Sequence, residues 1–425
     1  MANTITILHI SDLHMSNVAA TNVLQRSMFR RFNEYIQDWD KNVRVATPDI
    51  ICCTGDLAQT GSANEYGPDL GKGQPTRKRE WTVCSFLESI CKLFGLGHDR
   101  VCLVPGNHDI NRELVNDWSA RSELDVIKNK QSLATFFFDN KARIDHRGDV
   151  FRRLRPFAKF YSAFLNSRVE KQPDKIVNFL YSPRIFSTTQ GFPCVVKIAP
   201  ICTSWLCQSY YWTHKNDSSF IASDYSEPEG YVAVCLPKIE ETLFPDQTSS
   251  NEGLRICLMH HPFEWLVGWE RTAARNFICR QSDLILTGHV HKNEVYIPQL
   301  SHKGHTIGAG ALYQDYLHRN SFNIIRIECN GAVPTSANLL KVEWNSTEDR
   351  WETAPFNMQL ESPHLQLGYQ LVDSWLRIPL YGSFPALRSS RTNMLDIRSP
   401  QFTYTGSCGL ENKGRPSWPS IIVAT

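Results

Sequence analysis

The sequence predicts an α/β fold, a sheet covered by helices, from three observations. Short β-rich apolar runs recur along the chain, longer segments with helical spacing alternate with several of them, and polar metal-capable residues directly follow the runs. The runs are Thr4 to Ile10, Asp49 to Thr54, Arg100 to Val104, Cys194 to Cys202, Leu254 to Met259, Asp283 to Thr287 and Phe322 to Ile327. Each has the length and the aliphatic content of a buried strand. Helical spacing appears over Leu24 to Trp39, Glu80 to Phe94 and Phe151 to Phe164. A strand that is apolar on both faces needs a covering layer on each side, which alternating helices supply.

Residues 110–190 contain no strong strand run and mix polar residues with clusters such as Thr135 to Phe138. A largely helical insertion, forming a cap or flank, is expected there. After Leu312 the pattern turns hairpin-like, with Phe322 to Cys329 and Leu339 to Asn345 separated by Gly331 and Pro334, which predicts a β extension of the sheet. The expected organisation is one domain over residues 1–360 and an irregular Ser/Pro/Arg/Gly-rich tail of unassigned role over 361–425.

A formal charge of +2 from 45 basic and 43 acidic residues offers no global attraction to nucleic acid, so any polyanion site must come from local clustering. The start, MANTITILHI, lacks a basic segment followed by an apolar one, and no run of 18 apolar residues occurs. Neither secretion nor membrane spanning is expected, and the chain is placed in the cytoplasm. Thirteen cysteines, an odd number, sit largely inside apolar runs, as with Cys52, Cys53, Cys102, Cys257 and Cys329. They are expected to be reduced core residues. No GxxxxGK[ST] occurs, so no P-loop ATPase is present.

Five apolar runs lead directly into metal-capable groups: Ser11-Asp12-Leu13-His14, Gly55-Asp56, Gly106-Asn107-His108-Asp109, His260-His261-Pro262 and Gly288-His289-Val290-His291. In open α/β sheets the loops at the carboxyl ends of strands converge on the binding crevice, so the five groups should meet there. Carboxylates, an amide oxygen and imidazoles together suit borderline divalent metals rather than calcium or a thiolate zinc site. Side chains two residues apart, as in Asp12/His14 and His289/His291, point to the same side and can address one cluster. Gly55, Gly106 and Gly288 allow sharp turns and close backbone approach to a phosphate.

In the order DxH, GD, GNHD, H, GHxH this set resembles the calcineurin-like metallophosphoesterase superfamily, over roughly Ile5 to Val342. The resemblance implies a metallophosphoesterase β-sandwich with flanking helices, in α/β/β/α layers, with the metal site on the loops after the strands. It implies two divalent metal ions, with Asp12, His14 and His291 on the first, Asn107, His260 and His289 on the second, and Asp56 bridging. Mn²⁺ is the first expectation, and Fe, Zn²⁺, Co²⁺ or Ni²⁺ suit the same ligands. His108 resembles the residue that contacts the phosphate and protonates the leaving oxygen, with Asp109 orienting it; Asn107, His108 and His261 are the expected substrate contacts. The His260 to Leu266 stretch and Gly308-Ala309-Gly310 look most like bacterial phosphoesterases, stand-alone or fused to ATPases, that are linked to defence.

Singly, each motif is weak, because an acid after a strand more often caps the next helix than binds metal. Their joint order and strand context carry the reading. Trp205, Tyr210, Tyr211 and Trp212 could stack nucleobases but are read as packing, and Arg77-Lys78-Arg79 as a solvated face. His9, His98, His146, His302, His305, His318 and His364 are assigned structural roles, with His305 and His318 flanking the GHVH region. Thr203 and Ser204 end a strand and either line the crevice or cap. The expected activity is hydrolysis of phosphodiesters of a nucleotide or nucleic acid by metal-activated hydroxide, with no membrane partner. A phosphoprotein phosphatase, or a metal-bound nucleotide-sensing module with little turnover, are the alternatives.

Overall fold

The computed structural model describes residues 4–16, 19–67, 81–115, 128–138, 150–166, 173–207, 229–243, 253–292, 294–297, 304–314, 320–354, 357–360, 370–372 and 375–380. Its strands are β1 (Thr4–Ile10), β2 (Ile50–Cys53), β3 (Val101–Leu103), β4 (Arg184–Phe186), β5 (Val196–Ile201), β6 (Leu254–Met259), β7 (Leu284–Thr287), β8 (Glu294–Ile297), β9 (His305–Gly308), β10 (Ser321–Asn330), β11 (Val333–Asn345), β12 (Arg350–Ala354), β13 (Asn357–Leu360), β14 (Gln370–Val372) and β15 (Trp375–Pro379). Helices α1 (Ala19–Gln37), α2 (Val83–Phe94), α3 (Lys130–Phe138), α4 (Arg155–Phe164), α5 (Pro173–Leu180), α6 (Leu236–Thr242) and α7 (Gly268–Gln281) accompany them.

Two mixed sheets form. The first runs β14-β15-β11-β10-β1-β2-β3 with β12 on β11, and the second runs β13-β8-β9-β7-β6-β5-β4. β1, β2 and β3 are parallel, as are β5, β6, β7 and β9. Because strand side chains alternate, each run feeds two cores. Ile5, Ile7, Ile50 and Cys52 of the first sheet share one apolar cluster with Ile198, Ile256, Leu258 and Leu286 of the second. Leu8, Ile10, Ile51 and Cys53, and Ala199, Cys257 and Met259 of the other sheet, instead join the cluster that contains the helices. Both faces of the central strands are therefore buried, which explains why they read as continuous apolar runs and confirms the layered sandwich.

Helix α2 shows how local sequence sets an element. Thr82 accepts from Ser85 N at its start, and Gly95, at φ 66°, closes its end in the left-handed conformation that glycine adopts without strain. Its Phe86 packs on Phe29 and Phe32 of α1, and Phe32 meets Phe322 of β10 edge-on. Within 110–190, helices α3, α4 and α5 are present, and α4 flanks the sheet: Tyr161 Oη accepts from Leu103 N at 3.2 Å and donates to Val101 O at 3.0 Å.

The expected irregular stretch from residue 361 requires a correction. β14 and β15 fall inside it, and β15 pairs antiparallel with β11 from Leu339↔Leu376 to Ser336↔Pro379. The alternation in Trp375–Pro379 is too short to be seen against its Ser/Pro-rich surroundings, and the open edge of β11 supplies what the local pattern lacks. Residues 384–425 lie outside the described ones. Every cysteine among the described residues is a buried free thiol. Among them, no helix is long and apolar enough to cross a membrane.

Candidate metal centre

The five motif groups follow the parallel strands β1, β2, β3, β6 and β7, so their loops emerge at one end of the two sheets. The backbone there is unusual. Of nine non-glycine residues with positive φ among those described, five are Asp12, His14, Asp56, His289 and His291. Each such conformation costs about 1–3 kcal/mol, and here the surroundings hold it in place. Asp12 N donates to Gly55 O and His14 N to Asp56 O, both at 2.9 Å, which ties the first loop to the second. Gln25 of α1 donates to the carbonyls of Leu13 and His14. A Cβ on Gly106 would overlap Asp56 Oδ1, and one on Gly288 would overlap Ser11 Oγ, so these loops close only around glycine.

The seven expected metal ligands come together. Ligand atoms of Asp12, His14 and His291 lie within 4.8 Å of one another, as do those of Asp12, Asp56 and His260, and of His14, Asp56 and His108. Asp56 thus belongs with both sides of the cluster. On the other side His260 Nε2 is 3.0 Å from Asn107 Oδ1 and 3.4 Å from Asp56 Oδ2, and His289 Nδ1 is 3.2 Å from Asn107 Oδ1. His260 Nδ1 sits 2.6 Å from the Thr54 carbonyl, to which it must donate, so Nε2 is the nitrogen that faces Asn107 and Asp56, and the neutral ring would present a lone pair there. His14, itself buried, has no hydrogen-bond partner on either ring nitrogen among the described residues. Facing lone pairs and orphaned imidazole nitrogens are costly alone and are resolved by cations between them. The residues fit divalent metal.

The electrostatics agree. Burial, then neighbouring His108, lowers the His14 pKa to about 3; burial, then His260, lowers that of His289 to about 3. Burial opposes ionisation of Asp56, but the His260 and His108 imidazoles hold its carboxyl well below the ordinary range. Burial likewise opposes a charge on His260, and Asp56 outweighs it to raise that pKa to about 9. Asp56 and His260 thus favour each other's charged form, a positive charge beside the carboxylate that a bound metal would supply instead.

His108 is half-buried, and its Nδ1 lies 3.0 Å from both the Gln59 carbonyl oxygen and an Arg112 guanidinium nitrogen. Its backbone N donates to Asp56 Oδ1 at 2.7 Å. The expectation that Asp109 orients His108 is corrected. Asp109 is fully buried, and its carboxylate accepts from Leu57 N, Ala58 N, Gly106 N and Tyr66 Oη at 2.7–3.1 Å. The single helical turn at Asn107–Asp109 turns it back under the loop, where it braces the second and third motif loops together. Burial and nearby Asp56 push its pKa up to about 7 against the four donors.

His261 also departs from its expected role as a substrate contact. A ring nitrogen falls within 4.8 Å of ligand atoms of His260 and His289, yet Nδ1 is 2.8 Å from Thr203 Oγ1 and Nε2 is 3.8 Å from Cys207 Sγ. It is fully buried and backs His289 at 4.4 Å between ring centroids. Thr203 is thereby a partner of His261, and Ser204 Oγ donates to Pro105 O. Trp205 is buried, its Nε1 donating to Ala233 O, which is packing as expected. His9 lies between the sheets against Thr54 and Asn323, and His98 stacks on Phe164. His305 begins β9, at the far end of that strand from the cluster. Tyr210, Tyr211, Trp212, Arg77 to Arg79, His146, His302, His318 and His364 lie outside the described residues.

Motif reading missed Gln25, Gln59, Tyr66, Arg112 and Trp265, the last packed edge-on against His289 at 4.8 Å. Only Trp265, three residues past His-His-Pro, and Arg112, four past His108, carry a positional hint. The model of the family described as calcineurin-like phosphoesterase matches residues 5–293. The metallophosphoesterase-like protein YydB of Bacillus subtilis (strain 168) is 24% identical over 296 residues, 69% of this chain and 50% of that protein, so the chain spans about half the length of that relative. A dimetal phosphatase from Danio rerio is similar at 12% identity and a TM-score of 0.40, over 82% of this chain and 98% of that one. A 5'-nucleotidase from Candida albicans SC5314 is similar at 13% identity and 0.37, over 82% and 53%.

Proposed function

The chain belongs to the calcineurin-like phosphoesterase family, and from that premise we propose that it hydrolyses phosphodiesters of a nucleotide or nucleic acid with two divalent metal ions. The observation that carries the metal dependence is the convergence of ligand atoms: those of Asp12, His14 and His291, and those of Asp12, Asp56 and His260, lie within 4.8 Å of one another, and neither ring nitrogen of His14 has a hydrogen-bond partner among the described residues. Asp12, His14 and His291 would hold one ion, Asn107, His260 and His289 the other, and Asp56 both. Bound there, the ions supply Lewis acidity toward phosphoryl oxygens and a water of lowered pKa.

The protein residues do the rest. Asp56 accepts the His108 backbone N–H, which fixes the His108 ring at the edge of the cluster. With Nδ1 engaged by Gln59 and Arg112, Nε2 is the nitrogen left for a substrate oxygen. A proton delivered there lets the alkoxide of a phosphate ester depart. Gln25 and the strained left-handed backbone keep the ligands in place before substrate arrives. We place this activity in the cytoplasm, with Mn²⁺ the first metal to try.

The test is hydrolysis of bis(p-nitrophenyl) phosphate and p-nitrophenyl phosphate by metal-stripped protein resupplied with Mn²⁺, beside Asp56→Asn, His108→Ala and His289→Ala. Diester-preferring activity restored by metal and lost in all three supports the proposal. Preference for the monoester turns it into a phosphatase. No turnover with two ions bound turns it into a nucleotide-sensing module.

A further inference from the structure

A cavity lined by basic side chains lies away from the metal-centre residues. It has a volume of about 870 Å³ and lies on the outer face of the first sheet, under the segment 41–45 that follows α1. Its floor is a row of residues set side by side by strand register. Thr6 pairs with Arg326, Arg326 with Asn338, and Asn338 with Arg377, so the two guanidinium groups stand on one face of the sheet, on the strands that flank β11. Lys41 and Arg44 overhang this row, and Trp375 closes one wall.

Four cations therefore line the groove against a single carboxylate, Glu328, which is taken by Arg377 at 3.2 Å and by Ser336 Oγ at 3.0 Å. Lys41, Arg44 and Arg326 make no ion pair among the described residues. Arg44, at φ 59°, is the left-handed residue that ends the short helix Trp39–Asn42, which sets its position at the groove. The chain's net charge of only +2 makes this local excess stand out from the rest of the surface.

We propose that this groove binds a polyphosphorylated anion of nucleotide size, its phosphates against Lys41, Arg44 and Arg326 and its remainder along Trp375. The volume falls within the ~300–1,000 Å³ typical of small-ligand pockets. Planar, bidentate guanidinium groups match phosphate oxygens. Thr6, the partner of Arg326, lies near the start of β1, whereas the metal-centre loops follow the ends of β1, β2, β3, β6 and β7. The groove is thus a second site, and its occupancy does not depend on the chemistry proposed for the metal centre.

The experiment is calorimetric titration of the full chain with the non-hydrolysable ATP analogue AMPPNP, with inorganic triphosphate, and with a single-stranded oligodeoxynucleotide. Wild type is compared with Lys41→Glu/Arg326→Glu, with Arg44→Glu alone, and with Asp56→Asn, each checked for its melting temperature. Removing charge-assisted contacts should weaken AMPPNP at least about tenfold in both groove variants, and Asp56→Asn should leave that affinity unchanged. Affinity for AMPPNP above that for triphosphate assigns a share to Trp375; equal affinities assign binding to the phosphates, and both support the proposal. Binding lost in Asp56→Asn but kept in the groove variants, binding of the oligonucleotide alone, or binding of none of the three overturns it.

Discussion

Replacing Asp109 separates a bracing role from an orienting one. Its carboxylate accepts four bonds, from Leu57 N (3.1 Å), Ala58 N (3.0 Å), Gly106 N (2.8 Å) and Tyr66 Oη (2.7 Å), in a fully buried setting. Asp109→Ala leaves these donors without a partner, at about 1–3 kcal/mol each. Allowing for relaxation, the loss should be about 4–8 kcal/mol. Unfolding entropy of about 2.1 cal/mol/K per residue, taken over the unit Met1–Ser383, gives about 0.8 kcal/mol/K. The melting temperature should therefore fall by about 5–10 °C. Asp109→Asn keeps the shape but turns an amide NH₂ toward N–H donors, and should cost roughly half as much. Differential scanning calorimetry measures both, beside the pH dependence of diester hydrolysis. In a bracing role kcat falls with stability while the pH limbs set by His108 stay in place. A variant melting within about 1 °C of wild type, with a large kcat loss and displaced pH limbs, would refute this reasoning and restore Asp109 as the partner of His108.

Gly106→Ala sets a Cβ against Asp56 Oδ1 and the Asp56 backbone. Metal content measured by mass spectrometry should fall below that of wild type, with a further ~1–3 kcal/mol of overpacking; full metal loading would show that the loops are not closely apposed. His305 tests the acid limb of stability. Burial lowers its pKa to about 4 from an ordinary 6.5, so the folded protein binds fewer protons than the unfolded chain between those values. Its contribution is present above pH 6.5 and is lost as pH falls through 4. Urea melts of His305→Gln should show a flatter decline over that window than wild type, and equal slopes would reject the assignment.

The correction at Asp109 also shows what kind of information a motif holds. GNHD marks Asn107 and His108 as site residues because a strand end presents them. The partners of Asp109 lie 43 to 52 residues earlier, at Leu57, Ala58 and Tyr66, except for the neighbouring Gly106, and no local pattern announces them. Likewise His261 reads as part of a His-His pair, yet its partner Thr203 is 58 residues away and draws its ring into the core.

What the amino-acid order determined by itself was the set of strands that present the chemistry and the residues presented. β1 and β6 match their apolar runs end to end, and β2, β3, β5 and β7 lie within theirs. Because side chains alternate along a strand and parallel strands end together, five polar groups placed after five such runs must share one end of the sheets. Only the tertiary structure decided how their lone pairs face one another, that Gln59 and Arg112 share Nδ1 of His108, and that Trp375–Pro379 adds to the first sheet. The physical reason is range. Strand and loop character come from interactions within a few residues, whereas hydrogen-bond partnership and the filling of a sheet edge depend on segments brought together only when the core closes.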